Sequence, residues 1–178
     1  MDLGCGEGII GECIQQLGFK VIGCDKSYNA IKNAKIKVIL CDLEEKIPVE
    51  NSSFDIVLAA EIIEHILDTD KFIEEIHRVL KPRGKLVITT PNLASLECRI
   101  SLLLGKKPWM IENRVLPHSA GHVRYFTVKE IRKLLEDHNF EVKLITTNFI
   151  KLKNVVFERI SKLFPQLGHS IIVVAERK

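Results

Sequence analysis

Gly4, Gly6 and Gly8 stand at every second position after Met1-Asp2-Leu3, and Ile9-Ile-Gly-Glu-Cys-Ile-Gln-Gln-Leu17 follows with apolar residues at helical spacing. This predicts a strand end, a tight glycine turn and a helix start. Glycine serves where backbone must turn with positive φ, or lie against a ligand with no Cβ in the way. A strand–glycine–helix unit in a parallel sheet is a nucleotide-cofactor site. The dinucleotide fingerprint G-x-G-x-x-G is not met, because its third position falls on Ile9. Glu7 would set negative charge beside a pyrophosphate, and Asp2 suits a cationic ligand better than an anionic one. A second cluster, Glu61, Glu64 and His65, has i, i+3, i+4 spacing, which on a helical turn shares one face. Carboxylates beside an imidazole can take up a proton or hold a divalent ion.

The elements that must position these residues follow in order. Lys20–Asp25 and Lys37–Asp42 read as strands, each ending in an acid. A carboxylate at the tip of the second strand can accept both hydroxyls of an adenosine ribose. Ser27–Lys35 reads as a short helix between them, and a polar loop around Pro48 leads into a fourth strand over Ser53–Leu58. Thr69 or Asp70 caps a helix whose apolar residues Phe72, Ile73, Ile76, Val79 and Leu80 form one stripe. Lys81-Pro-Arg-Gly84 breaks it before a fifth strand, Lys85–Thr90. Strands alternating with helices make a parallel α/β sheet.

A long insertion from Pro91 to Val123 holds an amphipathic helix over Leu93–Leu104 and the single tryptophan, Trp109. Thr127-x-x-Glu130 is a capping box for a helix to about Asn139, and Phe140–Ile145 is a sixth strand. Ile150–Phe164 reads as a basic amphipathic helix with Leu152, Val156, Ile160 and Leu163 along one side. Core packing with a solvated face is its plain reading, and contact with a lipid-like substrate or a membrane surface the sharper one. Ser170–Ala175 is the last strand.

The stretch Asp2–Gly8 resembles motif I, D-x-G-x-G-x-G, of the class I S-adenosylmethionine (SAM)-dependent methyltransferases. Ile47-Pro-Val49 with Ser53-Phe-Asp-Ile-Val-Leu58 resembles that family's run into the fourth strand, and Leu80-Lys-Pro-Arg-Gly-Lys-Leu-Val-Ile88 its run into the fifth. The chain is identified as a member of the family, of the ubiquinone-biosynthesis-like, type 11 and 23 kind. The resemblance implies a Rossmann-like three-layer α/β/α sandwich. Its seven-stranded sheet is mostly parallel, with the last strand antiparallel between the fifth and sixth. The first strand is expected to be cut short and the true start to lie upstream: only Met1 to Leu3 are available where a central parallel strand is a continuous apolar run. One domain is expected over 1–178, with a cofactor half at 1–90 and a substrate-side half at 91–178. The cofactor set carried over is Asp2, Gly4, Cys5, Gly6, Asp25, Lys26, Cys41, Asp42, Leu43 and Glu61. Asp25 takes the ribose, and Asp42 the adenine amino group with Cys41 and Leu43 beside the ring.

Glu61-x-x-Glu64-His65 also resembles the E-x-x-E-H run of ubiquinone-biosynthesis O-methyltransferases and small-RNA 2′-O-methyltransferases. There these residues and a later histidine hold a divalent metal. The resemblance therefore offers Glu61, Glu64, His65 and His122 as a metal set, with His118 as a substitute for His122. A metal lowers the pKa of a bound hydroxyl. Without one, an acceptor attacks the sulfonium methyl in line, helped by proximity, with His122, His118 or Glu61 as general base. Arg124 and Tyr125 either orient a substrate or pack the loop.

Composition bounds the rest. At 178 residues, with 46% hydrophobic and 28% charged residues, the chain can bury one core. A net charge of +3 does not call for nucleic acid, which is not expected as a partner. Runs such as Ile56–Ala60 are far short of a membrane span. An acid directly after Met1 argues against a secretory leader. Five cysteines without a C-x-x-C pair are expected as free thiols in a reducing cytoplasm. The expected function is cytoplasmic transfer of a methyl group from SAM to a small-molecule acceptor at oxygen, with S-adenosylhomocysteine as product. The alternatives are metal-assisted methylation of a quinone precursor or an RNA 2′-hydroxyl, and a SAM-binding protein without transferase activity. Nicotinamide chemistry is disfavoured by Ile9, and an oligomer is left open.

Overall fold

The computed structural model describes residues 1–112, 121–152 and 155–178. His118 lies outside them. The chain runs β1 (Asp2–Leu3), α1 (Ile9–Gln16), β2 (Ile22–Asp25), α2 (Tyr28–Ile31), β3 (Lys37–Leu40), β4 (Phe54–Ala60), α3 (Thr69–Val79) and β5 (Leu80–Pro91). It continues with α4 (Leu96–Leu103), α5 (Val128–Asp137), β6 (Phe140–Thr147), β7 (Ile150–Leu152), β8 (Val155–Phe157), α6 (Glu158–Ser161) and β9 (Ser170–Arg177). Seven strands form one sheet in the order β3-β2-β1-β4-β5-β9-β6. The pairs from β3 to β5 are parallel, and β9 runs antiparallel to both β5 and β6. Strand order reverses at β1, so β1 and β4 end side by side with a crevice above them. The short first strand is present as two residues, paired with β2 on one side and β4 on the other.

Local chemistry explains most boundaries. Helix α3 starts one residue earlier than the sequence suggests, because Asp68 is the cap and its carboxylate accepts from the Lys71 amide at 3.0 Å. Its buried stripe is Phe72, Ile73, Ile76 and Val79, while Leu80 has already passed into β5. The capping box of α5 forms as expected: the Glu130 carboxylate accepts from the Thr127 amide at 2.9 Å. Along β9 the burial alternates, with Ile171, Val173 and Ala175 inside. Among the described residues no helix is long and apolar enough to cross a membrane.

Three expectations are corrected. Residues 150–164 do not form one helix. They make a β7–β8 hairpin and a single helical turn, α6. The run Val155-Val156-Phe157 is β-branched and aromatic, which suits a pleated strand better than a helix. Helix α2 is also shorter than Ser27–Lys35; Ser27 caps it, accepting from the Ala30 amide at 3.3 Å. The cysteines are not all free, because Cys24 and Cys41 form a disulfide. Register explains the pairing: Cys24 sits opposite Ile39, and Cys41, two residues on, comes back to the same face of the sheet. Cys5, Cys13 and Cys98 are free.

Asn92 joins the end of β5 to the segment before β9. It is fully buried, its amide nitrogen donates to the Gly168 and Gln166 carbonyls at 2.8 and 3.1 Å, and its side-chain oxygen accepts from the Ala94 amide. Gly168 is pressed against β6: a Cβ there would lie 1.8 Å from Thr147 Oγ1 and 2.3 Å from Thr147 Cβ. Gly168→Ala should therefore lower stability by about 1–3 kcal/mol, the usual cost of overpacking. Urea unfolding should show a lower midpoint at unchanged slope.

Candidate active site

The crevice above the reversal point holds a cavity of 260 Å³ lined by Gly4, Asp25, Lys26, Asp42, Leu43, Glu44, Ile62, His65, Ile66 and Gly121. Its floor is the glycine turn. Gly4 has φ 69°, and a Cβ there would lie 2.7 Å from Ile62 Cδ1, so only glycine fits both the conformation and the space. The Gly6 amide donates to Asp25 Oδ2 at 2.9 Å, and the Ser27 amide to Asp25 Oδ1 at 2.8 Å. Asp25 is thereby fixed at the tip of β2. Asp42 stands beyond β3, its Oδ1 accepting from the Glu44 amide at 3.0 Å. One wall thus carries two carboxylates held in place by backbone amides.

Of the expected cofactor set, Gly4, Asp25, Lys26, Asp42 and Leu43 line the cavity. Gly6 stands behind Asp25 as its hydrogen-bond donor. Asp2, Cys5, Cys41 and Glu61 are not among the lining residues. Asp2 is buried, and its Oδ2 has no hydrogen-bond partner among the described residues; burial pushes its carboxyl up to about 6. It lies under the first turn of α1 rather than facing the cavity. Burial likewise pushes the Cys5 thiol up to about 11. Cys41 is tied to Cys24. Glu44, Ile62, His65, Ile66 and Gly121 complete the lining, and of these sequence reasoning misses Glu44, Ile62, Ile66 and Gly121. Ile62 and Ile66 carry a signal of their own, an apolar i, i+4 pair that flanks Glu64 and His65.

His65, from the 3-10 turn Ile63–His65, and Gly121 also line the cavity. His65 Nδ1 lies 3.2 Å from the Gly121 carbonyl oxygen, which can only accept, so Nδ1 donates there and Nε2 is the ring nitrogen not used in that bond. The His65 and His122 rings lie 5.0 Å apart, centroid to centroid. Glu64 is almost wholly buried. Its backbone carbonyl accepts from the Val123 and Arg124 amides at 2.8 and 3.0 Å, and its Oε2 accepts from Thr90 Oγ1 at 3.1 Å. Oε1 has no hydrogen-bond partner among the described residues. Burial pushes the Glu64 carboxyl up to about 7.

Glu64, His65 and His122 form a group whose ligand atoms all lie within 4.8 Å of one another. Glu61 is outside that group. It has φ 51° and precedes the turn, so the helical spacing that would place it on one face with Glu64 and His65 does not apply. Its carboxylate accepts from Thr89 Oγ1 at 2.7 Å. Arg124 is spent on packing, since its guanidinium donates to the Leu67 carbonyl.

A family model described as "Methyltransferase domain" matches residues 1–144. The chain belongs to the class I SAM-dependent methyltransferases. Among its relatives, the human protein named "Ubiquinone biosynthesis O-methyltransferase, mitochondrial" is 28% identical over 82% of this chain and 42% of its own length. The Bartonella bacilliformis ubiquinone biosynthesis O-methyltransferase is 39% identical over 52% of this chain and 40% of its own length. The chain thus spans less than half the length of these relatives. A SAM-dependent methyltransferase from Methanosarcina mazei superposes with a TM-score of 0.72 at 20% identity, covering 99% of this chain and 90% of the other. The [4+2]-cyclase SpnF superposes with a TM-score of 0.69 at 16% identity, covering 99% and 73%. These likenesses show the fold, and the cyclase is a reminder that fold alone does not name a reaction.

In this methyltransferase fold Glu64 is a buried ionisable group whose charged form is poorly solvated. A raised carboxyl pKa means that the folded state holds the proton more tightly than the unfolded chain. Its stabilising contribution is full below the ordinary value near 4.5 and is lost as pH rises through about 7. Glu64→Gln should therefore melt higher than the wild type at pH 8, by up to about 3 kcal/mol at roughly 1.4 kcal/mol per pKa unit. The gap should close toward pH 4.5. Melting curves across that range check it, and a gap that does not change with pH would mean Glu64 stays ionised in the fold.

Proposed function

We propose that the chain uses SAM to methylate a hydroxyl oxygen of a small-molecule acceptor. The observation that carries this is what lines the cavity. Asp25, Asp42 and the imidazole of His65 line the same cavity, with the His122 ring 5.0 Å from that of His65. The donor fits the residues present: ribose hydroxyls suit the fixed Asp25 carboxylate, an adenine amino group suits Asp42, and a cation suits a wall rich in carboxylates. Bound SAM supplies a methyl carbon made electrophilic by its sulfonium. Ile62, Ile66 and Leu43 exclude water around it. The imidazole of His122 or His65 would accept the hydroxyl proton as the acceptor oxygen bonds to the methyl carbon and the carbon–sulfur bond breaks, releasing S-adenosylhomocysteine, with orientation supplying the rest. The likeness to proteins named as ubiquinone-biosynthesis O-methyltransferases supports oxygen as the nucleophile.

Asp25→Ala removes the acceptor for the ribose hydroxyls and unpins the Gly6 turn. It should weaken SAM binding about tenfold or more, since hydrogen bonds to a charged group are worth about 1.5–3 kcal/mol each. Calorimetric titration with SAM and S-adenosylhomocysteine, with NAD as control, reads this directly. Affinity equal to the wild type would remove Asp25 from the site.

A divalent ion is the second reading, favoured by the buried Glu64 Oε1 without a hydrogen-bond partner among the described residues. Glu64, His65 and His122 would hold it, the chemistry of two imidazoles and a carboxylate suiting a borderline ion. The ion would lower the pKa of an acceptor hydroxyl. Calorimetric titration of chelator-treated protein with zinc and magnesium should then show binding that releases protons from Glu64 and is lost in His65→Ala. Heat-free titrations, together with unchanged turnover in excess chelator, would leave the imidazole-only mechanism standing.

A further inference from the structure

The stretch from β8 through α6 exposes more apolar surface than its packing explains. Strand residues normally alternate between two faces, yet Val155, Val156 and Phe157 are all exposed. Ile160, Leu163 and Phe164 follow, with Leu163 at 74% exposure. Hairpin β7–β8 packs against α4, whose C-terminal end adds Leu102, Leu103 and Leu104, with Leu103 at 85% exposure. Scattered exposed leucines need no explanation, but a run of this density marks an interaction surface.

The charges on the same stretch are basic. Arg159 and Lys162 are exposed and form no ion pair among the described residues, and Glu158 is the only acid between 155 and 164. Lys106 follows Leu104 directly and is exposed too. We propose that this face docks the protein on the surface of an anionic lipid bilayer, with Leu163, Phe164 and Leu103 entering the headgroup boundary and Arg159 and Lys162 meeting the lipid phosphates. Apolar insertion and basic charge are the two signals that together hold a protein at such a surface. The orientation is also suitable. β5 and β6 both run antiparallel to β9, so β7 leaves the sheet at the same carboxyl end that carries the cavity. Docking would therefore bring the catalytic end toward the bilayer, whatever the acceptor is.

The test is co-sedimentation of the full chain with vesicles of phosphatidylcholine alone and of phosphatidylcholine with phosphatidylglycerol. Binding to the anionic vesicles should be about tenfold tighter or more, and should fall at high salt. Arg159→Ser with Lys162→Ser should lose about tenfold of that affinity. Leu163→Asp should abolish it while leaving SAM affinity and melting temperature unchanged, since Leu163 lies outside the cavity and the core. Protein that stays in solution with anionic vesicles, or that partitions equally onto neutral ones, would overturn the proposal. So would a dimer in sedimentation velocity that Leu163→Asp dissociates, because the face would then be a contact between copies.

Discussion

Glu64 is the residue on which the two halves of the site depend. It sits on a 3-10 turn just after β4, and its side chain is bonded to Thr90 at the end of β5. Its main-chain carbonyl takes two successive amides, Val123 and Arg124, from the far end of the long insertion. One buried residue therefore fixes the chain that carries His122 against the chain that carries His65. The cost is a carboxyl held out of water, with its pKa raised to about 7. Such a group is expensive in a core and common where a site needs an acid or a ligand near neutral pH.

The rest of the cavity follows from strand order. β1 lies between β2 and β4, and the ends of β2, β3 and β4 open on the same crevice. Asp25 and Asp42 arrive there because each follows the end of a strand, and backbone amides from Gly6, Ser27 and Glu44 hold them in place. The glycine turn leaves the floor low enough for Ile62 to approach Gly4. The apolar part of the pocket thus comes from the same turn that supplies Glu64 and His65. Cofactor pocket and proton-accepting pair share one short connection.

Much of the site was legible in order along the chain. Gly4, Asp25, Lys26, Asp42 and Leu43 were identified from spacing and family resemblance, and the cavity is lined by all of them. Errors arose where a local pattern had two meanings. Glu61-x-x-Glu64-His65 has helical spacing, but a left-handed residue at Glu61 takes its carboxylate to Thr89 instead. Leu152, Val156, Ile160 and Leu163 have helical spacing too, but Leu152 and Val156 lie on the two strands of a hairpin and only Ile160 is in a helical turn. Asp2 belongs to the glycine motif by type, and it lies buried on the interior strand β1, away from the residues that line the cavity.

The sequence by itself determined the elements that neighbouring residues control: the alternation of strands and helices, the glycine turn, the acid at the end of each strand and the capping box at Thr127. Those depend on backbone conformation and hydrogen bonds a few residues apart, so they are written in short spacings. The tertiary structure alone decided which side chains meet across long separations. The Cys24–Cys41 disulfide needed the register of β2 against β3. The approach of His122 to His65 needed the return of the insertion onto the Glu64 carbonyl. The exposed apolar face needed the count of what packs on β8 and what does not. Contacts of that kind depend on where whole elements come to rest, and no short spacing encodes it.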